Sequence, residues 1–512
     1  MINLSKSKVM AHRQCPKRLW LELHASDLRD DSAAQAGFAI GTEVGEVARR
    51  VFDPEGAGEL IDIEGLGHGG AIARSRELLA AGTGPVFEAG LADDGGLAYA
   101  DVMLPIRGTD GSLRWHLIEV KSSTHVKDYQ RDDVAFQAML ARTEGVPLES
   151  VSVACLDNSF VYPGGGDYRG LFHLTNLTEE CASRHEEVLQ WLSEARETAA
   201  LADEPCVETG PHCHHPYGCP FLAYCHRDQS APVEPEYPLS SLPRLQSGRR
   251  AKIEALGIED LRDVPDEMLT AQQQRVRQST ASGELYFDVE STAAVLRAQG
   301  HPAYFLDFET VKFTVPIWAG TRPNQQIPYQ YSLHRMDADG TLHHTEFLDL
   351  TGDDPSRACA KRLLRDCGDT GPIYVYNIGF ERGVIRALAG RFPDLADGLQ
   401  AISDRLVDLH PIAKAHFYHP SQHGRWSLKS VLPALCPDLS YADLDGVTDG
   451  MTAMETYAEA IAPETTPERH AEIRAQLSAY CHLDTLAIVR IWQIFTGRVP
   501  MAEAPSSTTD QD

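Results

Sequence analysis

The sequence predicts an α/β protein with two principal domains, each a mixed sheet flanked by helices. Three observations carry this. At 512 residues the chain is longer than one hydrophobic core usually serves, so two or three domains are expected. Short apolar runs lead into segments of helical spacing, as at Ile373–Asn377 followed by Val384, Ile385 and Leu388. Two strand-like runs, 97–104 and 114–121, flank an Asp110-Gly111 turn, and a helical pattern follows them. The composition, 43% hydrophobic and 23% charged, is that of an ordinary globular protein. No apolar run is long enough to span a bilayer, and the first residues lack the apolar stretch of a signal peptide. A cytoplasmic protein without a membrane partner is expected, with its 11 cysteines unpaired.

Taken in order, residues 1–25 hold Ser5-Lys6-Ser7-Lys8 and an isolated Cys15. A helix begins near Gly41 and carries Glu43, Gly45 and Glu46. In the strand pair, Asp101 lies on the first strand, and Glu119 and Lys121 alternate onto one face of the second. Acids there suit a cation, and a nearby ammonium offsets charge on a phosphate. Gln137 follows on a helix that starts near Asp132-Asp133. Cys213, Cys219 and Cys225 recur at intervals of six. With Cys15 they make four soft ligands, suited to an iron–sulfur cluster or to zinc. Structural zinc would use those three and one of His212, His214, His215 or His226, and Cys206 is an alternative ligand. Cys155, Cys181, Cys359, Cys367, Cys436 and Cys481 are expected to be ordinary buried thiols. Proline-rich residues 229–240 are expected to form a linker, and helices from Leu242 to Gln278 a connector.

Ala303 to Leu306 reads as a buried strand that ends in Asp307 and Glu309 on one face. Two such acids repel each other and cost desolvation energy, and a hard cation between them relieves both. Glu381 opens the helix after the 373–377 strand. Asp408, in Leu406-Val407-Asp408-Leu409, is expected beside the site, and Ser427 is placed to cap a helix. Tyr480 and Asp484, four apart, share a face of a helix over roughly 472–495. The tail 499–512 is polar and is expected to be disordered.

The series Asp307-x-Glu309, Asn377-x-x-Phe380-Glu381 and Tyr480-x-x-x-Asp484 resembles the DnaQ-like exonucleases, which have a ribonuclease H-like fold. The resemblance spans about 301–497 and implies that Asp307, Glu309, Glu381 and Asp484 hold two divalent metals, Mg2+ or Mn2+, with Tyr480 orienting the attacking water. The second motif usually ends in Asp, where this chain has Glu381. The set Asp101, Glu119-x-Lys121 and Gln137 resembles the RecB-like branch of the PD-(D/E)xK nucleases, on a restriction-endonuclease-like fold. It implies metal ligation by Asp101 and Glu119. Related nucleases place a histidine ligand where this chain has Gly45; Glu43 or Glu46 would substitute, or both are surface acids. One cysteine before that core and three after it is the layout of RecB-like nucleases with a 4Fe–4S cluster. The resemblance therefore favours the cluster over zinc at Cys15, Cys213, Cys219 and Cys225. The step at Leu256–Leu261 is similar to helix-hairpin-helix elements, and a plain helical connector is the alternative.

The whole arrangement looks like a bacterial family that joins the two modules. The implied domains are 1–228 (RecB-like), 229–300 (linker and connector), 301–498 (DnaQ-like) and the tail. The implied activity is metal-dependent hydrolysis of phosphodiester bonds, in DNA more than RNA, in repair or defence, with a helicase or similar protein as partner. A net charge of −28 opposes broad attraction to nucleic acid and leaves room for a local basic groove. The alternatives are a nucleic-acid-binding scaffold or an iron–sulfur sensor in which one or both sites are inactive.

Overall fold

In a computed structural model, residues 4–30, 35–93, 95–227 and 235–499 are described, the side chains of 35–39 excepted. The tail and the first part of the linker, 229–234, lie outside the described residues. The chain is mixed α/β and divides into two units, Met1–Pro232 with Phe313–Asn324, and Val233–Lys312 with Gln325–Asp512. Among the described residues, no helix is long and apolar enough to cross a membrane.

Unit 1 runs β1 (Leu4–Ser5), α1 (Lys6–Gln14), α2 (Pro16–His24), α3 (Gln35–Phe52), β2 (Glu59–Leu60), α4 (Ile63–Ala81), β3 (Val86–Asp93), β4 (Gly96–Arg107), β5 (Leu113–Lys121), α5 (Asp128–Thr143), β6 (Leu148–Leu156), β7 (Phe172–Asn176) and α6 (His185–Ala199). Its sheet has the order β2-β3-β4-β5-β6-β7, with β1 added parallel to β4. Trp115 and Leu117 of β5 pack with Val9 of α1, Val134 of α5 and Leu192 of α6. Ile118 and Val120 point to the other face, where Phe52 of α3 lies. Glu119 therefore shares the face of Trp115 and Leu117, under α1 and α5.

Unit 2 contains β8 (Ala303–Val311), β9 (Ile327–Met336), β10 (Leu342–Leu348), β11 (Ile373–Val375), α7 (Ile378–Arg391), β12 (Leu406–Asp408), α8 (Leu428–Leu435) and α9 (Pro467–Phe495). The sheet order is β10-β9-β8-β11-β12. β8 pairs antiparallel with β9 and parallel with β11, so the sheet is mixed and β8 is central. Chain connections leave β8 in opposite directions, and the carboxyl ends of β8, β11 and β12 meet beside a crevice, the place where ligands bind in open α/β sheets.

Two boundaries differ from the sequence reading. Residues 235–300 are no separate connector: Leu239, Leu242, Ile253, Leu261, Val276 and Leu296 join the core built on Phe305 and Trp492. The step at Leu256–Leu261 is the end of a helix, Ser247–Glu254, followed by the 3-10 turns Leu261–Asp263 and Asp266–Met268, and the next helix starts only at Ala271. The segment Phe313–Asn324, inside the expected 301–498 module, belongs to unit 1. Val315 there packs with Val44, Leu156 and Leu171, and Tyr162 exchanges backbone hydrogen bonds with Thr321 and Gly320.

Candidate functional sites

In unit 2 the strand alternation and the helix spacing act as the sequence predicts. Asp307, Glu309 and Asp484 each offer a carboxylate oxygen, and these atoms all lie within 4.8 Å of one another. Glu309 and Asp484 are 8% and 6% exposed, so solvent screens their repulsion little. Burial first, then the neighbouring acids, push Asp307 well above the usual carboxylate range. The same causes raise Glu309 to about 8. Burial raises Asp484 to about 6, against a Tyr441 hydrogen bond, the Lys429 charge and a Tyr480 hydrogen bond that favour its ionised form. Tyr441 donates to Asp484 Oδ1. Lys429 Nζ lies 5.0 Å from the Tyr441 ring centre and 5.2 Å from that of Tyr480. A cleft of about 520 Å³ is lined by Asp307, Glu309, Tyr480, Asp484, His410 and Phe380, among others.

Glu381 lies outside that trio. It is 1% exposed, its Oε2 has no hydrogen-bond partner, and burial raises it to about 8. Its charge nonetheless contributes to the rise at Asp307, so it stands close behind the trio. Asp408 is engaged elsewhere. It accepts from the backbone N–H groups of Asn377, Ile378 and His410, and so fastens the turn that starts α7. Asn377 in that turn has φ of 85°, a strained conformation of the kind that gathers at functional sites. Ser427 holds the N-cap position of α8 without the expected cap bond; its hydroxyl pairs with Ser430 instead.

In unit 1 three acids fall in a row across three strands. The pairs Phe87↔Val102 and Ala89↔Ala100 bracket Glu88 and Asp101, and Val102↔Ile118 sets Asp101 beside Glu119. Glu88 has φ of 53°, left-handed backbone inside a strand whose register with β4 does not shift. Burial, then the Glu119 charge, raise Asp101 to about 8 and also raise Glu88. Glu119 behaves oppositely. Burial would raise it, but Lys121 and Lys6 outweigh that and hold it well below its ordinary range. Glu119 Oε1 accepts from Lys6 at 2.6 Å and Lys121 at 2.8 Å, and Oε2 from Gln137 Nε2 at 2.5 Å. Lys121 also bonds Asp133. Asp101 Oδ2 accepts from the Val120 amide. Glu43 and Glu46 are exposed on α3. A cleft of about 470 Å³ beside this site is lined by Lys6, Arg13, Lys121, Tyr129, Asp133 and Tyr217, among others.

The four predicted cysteines converge. Cys15, at the break between α1 and α2, lines one pocket with Cys213, Cys219 and Cys225. Burial first, and then neighbouring thiols, raise Cys219 and Cys225. The Gly210 amide points at Cys213 Sγ at 3.5 Å. Gln14 Nε2 donates to the carbonyls of His212 and Tyr217, tying α1 to the cysteine loop. Among the described residues, no three of these sulfurs lie within 4.8 Å of one another. Tetrahedral zinc with bonds of about 2.3 Å would bring four sulfurs to about 3.8 Å of each other. A four-iron cube spreads its thiolates wider. Cys206 is exposed, and the six cysteines expected to be buried thiols are buried.

The donor sets can be tested against metals. The unit 2 trio fits a hard divalent ion: three convergent carboxylates, all held above their ordinary range by burial. The unit 1 row fits less well. Both oxygens of Glu119 already have protein donors, so a cation must share it with Lys6 or displace that ammonium. The sequence reading gave no role to Lys6, Glu88, Asp133, Tyr441 or Lys429. Lys6 sits in the quoted Ser5–Lys8 run and Asp133 beside Gln137, whereas nothing in the local pattern marks Glu88 or Tyr441.

Residues 304–427 match a family described as a domain of unknown function (DUF2779). The match takes in Asp307, Glu309, Glu381 and Asp408 and ends before Tyr480 and Asp484. No curated protein matches the chain.

Proposed function

We propose that the chain is a metal-dependent nuclease that hydrolyses phosphodiester bonds, in DNA more than RNA, and that its principal site is the carboxylate trio of unit 2. The observation that carries this reading is the convergence of Asp307, Glu309 and Asp484 from a central strand and a distant helix. Such buried acids persist because a divalent cation compensates them. The mixed sheet with β8 at its centre agrees with a ribonuclease H-like module of the DnaQ type. Mg2+ or Mn2+ bound there would neutralise phosphate charge and lower the pKa of a water. Asp307, Glu309 and Asp484 would hold the metal, with Glu381 reaching it through water. Tyr441 orients Asp484, and the Tyr480 hydroxyl would direct the attacking water. Lys429 follows the cleft-lining Leu428, and its charge, which acts on Glu309 and Asp484, would also offset charge on a bound phosphate.

Unit 1 is read as a RecB-like PD-(D/E)xK module. Its support is the Asp101, Glu119, Lys121 and Gln137 cluster and the adjoining cleft with Lys6, Arg13, Tyr129 and Tyr217, cations and rings that suit a phosphate backbone and its bases. A second reading, nucleic-acid binding without cleavage in this unit, is favoured by one observation, the Lys6 ammonium seated on Glu119. The wide sulfur spacing supports a 4Fe–4S cluster at Cys15, Cys213, Cys219 and Cys225 in preference to zinc. Free cysteines throughout the described residues support a cytoplasmic setting.

The test is a Mn2+-supported digest of end-labelled single strands with anaerobically purified protein. Asp307→Asn should lower cutting by about a hundredfold or more, since a metal ligand carries several kcal/mol of transition-state stabilisation. Lys121→Ala, run beside it, assigns unit 1. Undiminished cutting in Asp307→Asn would overturn the assignment of unit 2, and in both variants would overturn both.

A further inference from the structure

Three histidines in unit 2 play no part in the site above. His334 on β9, His344 on β10 and His482 on α9 each offer a ring nitrogen, and the three atoms lie within 4.8 Å of one another. The ring centres are 4.4 to 4.8 Å apart. Two lie on the consecutive strands of one hairpin and the third on a helix far downstream, so no local spacing announces the trio. β9 and β10 pair with His334 directly opposite His344. α9 turns about 100° per residue, so His482 projects from a different flank than Tyr480 and Asp484.

The surroundings orient these rings as ligands are oriented. His334 Nδ1 bonds Thr485 Oγ1 at 2.8 Å, and His344 Nε2 bonds Ser332 Oγ at 2.9 Å. The two hydroxyls bond each other at 2.6 Å. One nitrogen of each of these rings is thus fixed by a hydroxyl and the other is left over. A second-shell partner that fixes one nitrogen of a ligating histidine is the usual arrangement at metal sites. The His482 ring makes no hydrogen bond among the described residues, though its carbonyl accepts from Thr485 Oγ1. His334 is 2% exposed and His344 lies open on the edge strand, which leaves a path for an ion and a place for a water as fourth ligand.

We propose that His334, His344 and His482 bind a transition-metal ion of the zinc class, one that clamps α9 to the β9–β10 hairpin. Three imidazoles and no carboxylate select Zn2+, Co2+ or Ni2+ and discriminate against Mg2+, the reverse of the selection at the carboxylate trio. The two sites occupy different flanks of one helix, so the ion would hold the backbone of Tyr480 and Asp484 in place without touching substrate.

Equilibrium dialysis of the full chain, without a histidine tag, against Zn2+ in excess Mg2+ tests this by metal analysis. Wild type and Asp307→Asn should retain one more equivalent of zinc than His344→Ala, and zinc should raise the melting temperature of the first two above that of the third. The cysteine site is the same in all three proteins and cancels in the comparison. Cobalt gives a reading on wild type alone: a visible band of tetrahedral nitrogen-ligated Co2+ that survives filling of the cysteine site. Equal zinc in wild type and His344→Ala overturns the proposal. If His344→Ala fails to fold, absence of the cobalt band does the same. Loss of zinc in Asp307→Asn would mean that the ion sits in the carboxylate trio, and would also overturn it.

Discussion

Asp484 accepts a hydrogen bond from the Tyr441 hydroxyl, while no described residue donates to the neighbouring Glu309; the Lys429 charge acts on both. The difference explains why burial raises Glu309 to about 8 and Asp484 only to about 6. It also divides the residues by role. Tyr480→Phe should leave Mn2+ binding intact and slow cleavage about a hundredfold, the scale of a lost proton-handling group, as read by single-turnover rates. Lys429→Ala should slow it by about tenfold to a hundredfold if its charge acts on the phosphate as proposed, with at most a small rise in metal affinity, since that charge also faces Glu309 and Asp484. Glu381 is different again. Buried behind the trio with an unpartnered oxygen, it would act through water, so Glu381→Gln should weaken Mn2+ binding by about tenfold to a hundredfold in calorimetry without abolishing it. A Glu381→Gln protein with no measurable Mn2+ binding would make Glu381 a direct ligand.

At the scale of elements, α1 connects two sites of unit 1. Its first residue, Lys6, bonds Glu119, and Cys15 follows its last turn. Cys15→Ser should therefore remove iron and colour from anaerobically prepared protein, and Gln14 should still tie α1 to the cysteine loop, so that the protein folds with a lowered melting temperature. Iron retained in Cys15→Ser would transfer the fourth ligand to another residue. The elements that carry chemistry within one segment were legible in the sequence. Asp307 and Glu309 follow from alternation, Tyr480 and Asp484 from helix spacing, and Glu119 and Lys121 from a strand after a turn. What was illegible is tertiary. Glu88 depends on the pairing of β3 with β4, Lys6 on where α1 docks, and the histidine trio on the pairing of β9 with β10. The connector 235–300 reads as polar linker and helix because its apolar residues are widely spaced. Only the packed structure shows Leu261, Val276 and Leu296 meeting one core. Asp408 has the composition of a ligand, and its neighbouring amides decide that it is a cap.

For the whole molecule, the raised acids make stability depend on pH in an unusual direction. Asp101, Glu309 and Glu381 are raised to about 8 and Asp484 to about 6, so the folded protein binds protons more tightly than the unfolded chain. Their contribution is complete below the ordinary carboxylate range and is lost as pH rises through about 6 to 8. In EDTA the melting temperature should fall from pH 6 to pH 9, and Mn2+ should restore more of it at the higher pH. A flat or rising profile in EDTA would contradict these environments. With a net charge of −28, the proposed nucleic-acid substrate would have to be met at local cationic clefts, since the molecule as a whole repels a polyanion. The most direct test of the central claim is calorimetric titration of Mn2+ into the full chain at pH 8, beside Asp307→Asn. The convergence of Asp307, Glu309 and Asp484 predicts saturable binding that Asp307→Asn lacks by at least one equivalent. Identical heats and stoichiometry in the two proteins would contradict it.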